Sequence, residues 1–244
     1  MIRLDGITKT FDRSVLFGVD LDVPTGSLYG LVGPGGAGKS VVLKIVAGLV
    51  PADGGSVVVG GSDLATLDPL ALARHRLGIG MVFQNNALFD FMTVAENIAF
   101  PLRRSSGLGD AEIRRRVEER LERVGLPGFG PRKPAGLSGG QKKRVGVARA
   151  TVTRAPIVLY DEPAAGLDPV TSQRIFDLLR AEQRAAGATV IMVSSDVDRL
   201  LTVTDKVGMM HEGRVVFEGS TEQANQSEDP MVRQFLSGKT DGPL

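Results

Sequence analysis

Eight residues, Gly33-Pro34-Gly35-Gly36-Ala37-Gly38-Lys39-Ser40, limit what this chain can fold into more than any other stretch. They lie between an apolar run ending at Val32 and an apolar helical pattern beginning at Val41, and they fit G-x-x-x-x-G-K-[ST]. A short loop can curl round a polyanion only if its backbone N–H groups point inward and side chains stay clear, and glycine permits both. The helix that follows then presents unsatisfied N–H groups and roughly half a positive charge to the same anion. Lys39 adds a full charge near the terminal phosphates, and the Ser40 hydroxyl is a hard oxygen ligand suited to Mg²⁺. Strand, loop and helix in this order predict a phosphate site.

At 244 residues and 42% apolar composition, the chain can bury a core large enough for one large domain or two small ones. Its 29 basic and 28 acidic residues balance, so no global field favours nucleic acid or an anionic membrane as a direct partner. The absence of cysteine excludes disulfides and thiol chemistry. The N-terminal Met1-Ile2-Arg3-Leu4-Asp5-Gly6 lacks the apolar segment of a signal peptide. The most apolar stretch, Val41 to Val50 with Lys44 inside it, falls well short of the roughly 20 residues that span a bilayer. Membrane contact is therefore expected only through partners.

Alternation in Val19-Asp20-Leu21-Asp22-Val23 and the segment from Ile2 to Phe11 predict an N-terminal antiparallel layer. Leu28 to Val32 reads as a buried parallel strand feeding the glycine loop, with a helix from Val41 to Leu49 behind it. Ser56-Val57-Val58-Val59 is a further strand, Asp68-Pro69 starts a helix, and Ile79 to Phe83 delivers Gln84 to a strand end. From Asn85 to about Val152 the character turns to helix and loop. Thr93-Val94-Ala95-Glu96 forms a capping box, and Ile113, Val117, Leu121 and Val124 form an amphipathic stripe. The run Arg114-Arg115-Arg116 shares its helix with Glu112, Glu118, Glu119 and Glu122, which predicts a solvated, salt-bridged face rather than a nucleic-acid contact. Strand Ile157 to Tyr160, helix Val170 to Ala186 stopped by Gly187, and strand Ala188 to Val193 resume the parallel core. A hairpin turning at Glu212-Gly213 and a short helix entered through Asp229-Pro230 close the chain. The expected organisation is a core in two parts, residues 1–84 and 153–228, a helical subdomain at 85–152 and a tail at 229–244.

Asp161-Glu162 places two carboxylates at the carboxyl edge of a parallel sheet, where such sheets bind ligands. A buried acid pair with no local cation is costly unless something positive sits there. Mg²⁺ and a polarised water fit, with Asp161 on the metal side and Glu162 as the general base. The alternative, that Asp161 caps the next helix, is weakened because Asp168-Pro169 already supplies that cap. Leu137-Ser138-Gly139-Gly140-Gln141 opens another helix and forms a second anion site, which is economical if it faces a nucleotide held by another copy of the chain.

These motifs, in this order and spacing and over nearly the whole chain, resemble those of ATP-binding cassette (ABC) ATPase subunits. The resemblance implies an α/β P-loop NTPase with a RecA-like parallel-sheet core, an N-terminal antiparallel β-layer and an inserted α-helical subdomain. It implies ATP and Mg²⁺ as substrate and cofactor. Phe11 would stack on adenine, residues 33–40 and Val41 would hold the phosphates, and Ser40, Gln84 and Asp161 would face the metal. Gln84 would also sense the attacking water. Ser138, Gly139, Gly140 and Gln141 would contact the γ-phosphate in trans, and Asp168 would couple two sites across a homodimer. One position departs from the pattern. Where the family usually carries histidine, this chain has Ser195, and its two histidines, His75 and His211, are not placed to substitute. Serine can donate a hydrogen bond but is shorter than imidazole, which implies slow but real hydrolysis.

A narrower resemblance lies in Ala87-Leu88-Phe89, Thr93 to Ile98, Pro101-Leu102-Arg103, Val232 to Leu236 and Asp241-Gly242-Pro243. These are similar to the MlaF-like ATPases of lipid-trafficking systems that work with Mce proteins. They imply a homodimer below MlaE-like permeases at the inner membrane, with an Mce-domain (MlaD-like) protein, hydrophobic cargo and no nucleic acid. The run Ala87 to Met92 reads equally as helical-subdomain core or as a socket for a permease helix. A solute importer ATPase and a slow, nucleotide-gated assembly module are the competing readings.

Overall fold

The computed structural model describes residues 1–105 and 107–244. The chain opens with β1 (Ile2–Thr10), β2 (Ser14–Val23), β3 (Leu28–Val32), α1 (Lys39–Val46), β4 (Gly54–Val59), β5 (Ser62–Asp63) and α2 (Pro69–Leu77). It continues through β6 (Ile79–Val82), α3 (Val94–Ser105), α4 (Asp110–Arg123), α5 (Gly139–Thr151), β7 (Ile157–Asp161) and α6 (Pro169–Ala186). The last segment holds β8 (Thr189–Val193), α7 (Val197–Val203), β9 (Lys206–His211), β10 (Arg214–Ser220), α8 (Thr221–Asn225) and α9 (Pro230–Ser237). These elements group into two compact units: Met1–Arg76 with Thr189–Leu244, and Leu77–Ala188.

The first unit contains the expected antiparallel layer, in the order β2-β1-β4-β5. In β1 the buried positions run Ile2 and Leu4, then Ile7 and Lys9. The change from even to odd coincides with a register shift between Leu4 and Ile7, where Gly6 takes φ 60°, so an inserted residue keeps the apolar face inward. The five residues of β3 are all buried, because the strand lies between β8 and β9 and is parallel to both. Helix α7 comes so close to β3 that a methyl on Gly30 would meet Leu200 Cδ2 at 3.1 Å. The hairpin of β9 and β10 turns at Glu212-Gly213, both in left-handed conformation, which suits a tight turn between right-twisted strands. Helix α1 differs from its expected span, running over Lys39–Val46 rather than Val41 to Leu49. Gly38 at φ 97° caps it early. Gly48 at φ 67° ends it, with Leu49 N–H returning to the Lys44 carbonyl at 2.8 Å.

In the second unit β6 and β7 run parallel, and α5 packs on β6 with almost no clearance at Gly80. The capping box of α3 forms as expected: Thr93 N–H donates to Glu96 at 2.7 Å, and Glu96 N–H donates to Thr93 Oγ1 at 3.2 Å. The stripe Ile113, Val117, Leu121 and Val124 is buried. On the opposite face Arg115 pairs with Glu112 and Glu119, and Arg116 with Glu112, as the charge pattern predicts. Those arginines hold the Glu112 carboxyl at about 2. Arg120 turns inward instead and pairs with buried Glu182 of α6, to which Arg123 also donates at 2.8 Å. Among the described residues no helix is long and apolar enough to cross a membrane.

The Gly80 contact yields a stability test. A Cβ there would lie 2.2 Å from the Ala150 carbonyl oxygen, which is backbone and cannot rotate away. Gly80→Ala should cost about 1–3 kcal/mol, read as a lower urea midpoint. An unchanged midpoint would show that α5 and β6 separate without cost.

Candidate functional site

In the first unit, β3 delivers residues 33–40 from its carboxyl end. Gly33, Gly36 and Gly38 all have positive φ, so the loop takes a path that side chains rarely permit. A Cβ on Gly33 would collide with the Met210 carbonyl at 2.0 Å, and one on Gly38 with Leu16 Cδ2 at 2.5 Å. At Gly35 and Gly36, by contrast, nothing lies within 4 Å of an added Cβ, so the loop presents one open face. Lys39 Nζ donates to the Gly33 and Pro34 carbonyls at 2.6 and 2.8 Å, which holds the ammonium over the start of the loop. The N-cap of α1 makes no side-chain capping bond, and Val41 N–H bonds the Gly38 carbonyl at 2.9 Å. Open glycines, a tethered cation, the Ser40 hydroxyl and an uncapped helix start fit a polyphosphate with its Mg²⁺.

The same sheet edge carries Ser195. Strands β3 and β8 are paired with Leu31 opposite Val193, so β8 releases Ser194 and Ser195 beside the start of the glycine loop. Ser194 is buried and accepts from Asp196 N–H at 3.1 Å, while Ser195 is exposed. His75 Nε2 bonds the Val46 carbonyl and His211 is opposite Arg214 at the hairpin. Phe11 is 52% exposed, with Lys9 Nζ 5.3 Å from its ring centroid. Lys9 is itself fixed by Asp53 at 2.6 Å, and this bond holds the Asp53 carboxyl below its ordinary range. The ring is thus an exposed flat surface on an anchored base.

The second unit holds the acids. Asp161 ends β7 and is buried, whereas Glu162 is half-buried and sits at φ 49°, a left-handed conformation that is strained for a side chain this size. The expectation of an acid pair without a local cation is corrected here. Lys143 of α5, 5% exposed, donates from Nζ to the Glu162 carbonyl at 3.2 Å and to the Gln84 carbonyl at 2.6 Å. Burial holds its ammonium below the ordinary lysine range, while Glu162 and Asp161 pull it back up. Gln84 lies in the turn after β6 and is exposed, so its backbone is tied down while its side chain stays at the surface.

Ser138 caps α5 through a reciprocal box. Its Oγ accepts Gln141 N–H at 3.3 Å, and Gln141 Oε1 accepts Ser138 N–H at 2.9 Å. Gly139 is exposed. Gly140 is buried where a Cβ would meet Thr171 Cγ2 at 2.8 Å, so its lack of a side chain lets α6 approach. Asp168 caps α6, accepting from Val170 and Thr171 N–H at 3.0 and 2.9 Å; its bonds with Thr171 above all hold its carboxyl below the ordinary range. The structure therefore joins Ser138, Gly139, Gly140 and Gln141 to the Asp168 turn, and joins Gln84 to Glu162 through Lys143.

Two residues that build the site, Lys143 and Arg149, carry no expectation from the sequence, and a third, Asn97, enters there only within the run Thr93 to Ile98. Besides Lys143, Arg149 donates to the carbonyls of Asn86 and Ala87 at 2.6 and 2.7 Å, and both of those residues have positive φ. Fully buried Asn97 accepts Phe89 N–H and donates to the carbonyls of Phe89, Met92 and Thr93, fixing residues 89–93 and presenting Phe91 at 73% exposure. A signal existed for Lys143, which precedes Val147 by four positions on the apolar face of α5.

The profile of the ABC transporter family matches residues 16–165. The chain belongs to the ABC transporter family. It is 40% identical to the methionine import ATP-binding protein MetN of Caulobacter vibrioides over 91% of this chain and 68% of that protein. It is 35% identical to the intermembrane phospholipid transport system ATP-binding protein MlaF of Haemophilus influenzae, over 100% of this chain and 93% of that protein. Among solved structures it is similar to the dimeric post-hydrolysis state of the ATP-binding cassette MJ0796 bound to ADP and Pi. The TM-score there is 0.84 at 32% identity, covering 91% of this chain and 99% of that one. This ABC subunit is an ATPase of the P-loop fold and uses ATP with Mg²⁺.

Proposed function

We propose that this ABC ATPase powers the movement of phospholipid, or another hydrophobic lipid, between inner and outer membranes. It would act as a homodimer beneath an MlaE-like permease, with an Mce-domain partner of MlaD type. The observation that carries this reading is the extent of the MlaF likeness: the whole chain aligns, over 93% of that protein's length. The alignment includes α9 and the tail, which fold back together. Gln234 Oε1 accepts Leu244 N–H at 2.7 Å, and its amide donates to the Lys239 and Thr240 carbonyls. Phe91, held outward by Asn97, supplies an apolar contact for a permease helix. A second reading, a solute importer, draws on the 40% identity to MetN, though 68% of that protein is covered.

In the proposed cycle Phe11 stacks on adenine, and residues 33–41 surround the phosphates with Lys39 as the fixed positive charge. Ser40, Gln84 and Asp161 face Mg²⁺, which when bound screens phosphate charge and orients the terminal group. Glu162 takes the proton of the attacking water. Ser138, Gly139, Gly140 and Gln141 close on the γ-phosphate held by the other copy, and Asp168 couples the two sites. Ser195 stands where a longer imidazole would reach the γ-phosphate, and this shortfall slows turnover.

Purification from the native membrane, followed by phosphate release from the intact complex, tests both halves. An MlaE-like permease should copurify, and Glu162→Gln should lower steady-state release at least a hundredfold while ATP binding persists. A solute permease in that position would favour the importer reading, and release unaffected by Glu162→Gln would remove the catalytic assignment. Ser195→His should raise kcat severalfold; an unchanged or lower kcat would show that the serine does not limit the rate.

A further inference from the structure

We infer that Lys143 is a positioning residue for hydrolysis, setting the Gln84 turn and the Glu162 turn in register with the helix that begins at Ser138. Three facts converge on it. Lys143 is buried inside α5, five positions after Ser138, so it moves with that N-terminus as part of one rigid helix. Its Nζ makes its two backbone bonds to Gln84 and to Glu162, the residues assigned to the metal and to the attacking water. Each acceptor belongs to irregular backbone: Gln84 lies in a turn, and Glu162 is held at φ 49°.

The chemistry of the contact explains the choice of residue. Carbonyl oxygens accept only, so two of them converging on one buried point need a donor with at least two hydrogens, and an ammonium supplies three. A charged donor also strengthens both bonds. Methionine would fill the same volume and donate nothing. The Glu162 carbonyl already accepts Ala165 N–H at 3.2 Å, so the strained turn would persist without Lys143, but its placement against Gln84 would loosen. Loss of the bridge is therefore expected to misplace the general base and the metal-facing amide without touching the phosphate loop, which belongs to another part of the chain. A rise in helix α5 or a tilt at Ser138 would likewise be passed to both residues at once.

This inference rests on the catalytic assignment of Glu162. The test uses the full-length chain with steady-state phosphate release, scaled to the concentration of sites that bind a fluorescent ATP analogue. Lys143→Met should lower kcat at least tenfold while the KM for ATP and the analogue's Kd stay within twofold. Lys143→Arg, which keeps a charged head with several donors, should stay within threefold of the wild-type kcat. If Lys143→Met fails to fold, Lys143→Gln gives the same readout: its amide nitrogen ends one bond short of the ammonium position, so it holds at most one of the two carbonyls, and at least a threefold loss in kcat at constant KM is expected. A wild-type kcat per binding site in Lys143→Met, or in Lys143→Gln where it is the variant read, overturns the inference. So does a loss in which KM rises along with the fall in kcat, or an equal loss in Lys143→Arg. Glu162→Gln is measured alongside. If it keeps the wild-type rate, the catalytic assignment fails; if it loses the rate and Lys143→Met does not, the positioning role alone fails.

Discussion

Irregular backbone after a parallel strand leaves carbonyl oxygens outside any ladder, and a buried carbonyl must find a donor. In this protein the donors are long side chains reaching across from helices. Lys39 serves Gly33 and Pro34, Lys143 serves Gln84 and Glu162, Arg149 serves Asn86 and Ala87, and Asn97 serves the loop from Phe89 to Thr93. Several of these loop residues sit at positive φ without being glycine, a conformation costing on the order of 1–3 kcal/mol each. Cation-to-carbonyl bonds offset that strain. They fix where the chemistry-bearing loops sit while the strands behind them stay regular.

The same device gives the loops a common mechanical reference. Gln84 and Glu162 share one anchor on α5, and the N-terminus of α5 abuts the Asp168 turn through Gly140 and Thr171. Within this unit a displacement at Ser138 therefore meets both turns through stiff contacts rather than through solvent. The phosphate loop is organised separately, by β3 and by the close packing of Gly33 and Gly38 on Met210 and Leu16. The phosphate loop and the Gln84 and Glu162 turns are thus each fixed by their own set of side-chain and backbone contacts.

Much of this was legible because it is local. Lys39 and its glycines, the Thr93–Glu96 box, the Asp168 and Asp229 caps and the Glu212-Gly213 turn each depend on a few neighbouring residues, and each formed. The parallel strands at Leu28 and Ile157 announced themselves as apolar runs, and both are buried throughout. What stayed hidden depends on distance. Lys143 sits in phase with Val147 on the apolar face of α5, but its partners are 59 and 19 positions away. Arg120 shares a helix with exposed arginines and differs only in facing Glu182 across 62 positions. Helical phase shows which residues point inward, but which carbonyl awaits them is a matter of tertiary structure.

In the proposed function, residues 33–40 form half of a site that residues 138–141 of a second copy complete. Sedimentation velocity on the Glu162→Gln chain tests it most directly. ATP with Mg²⁺ should convert monomer to dimer, ADP should not, and Gly139→Asp, which adds a charge facing the phosphate but suits a helix start, should abolish the ATP-bound dimer. A Glu162→Gln chain that stays monomeric with saturating ATP and Mg²⁺, or that dimerises undiminished with Gly139→Asp, would contradict it.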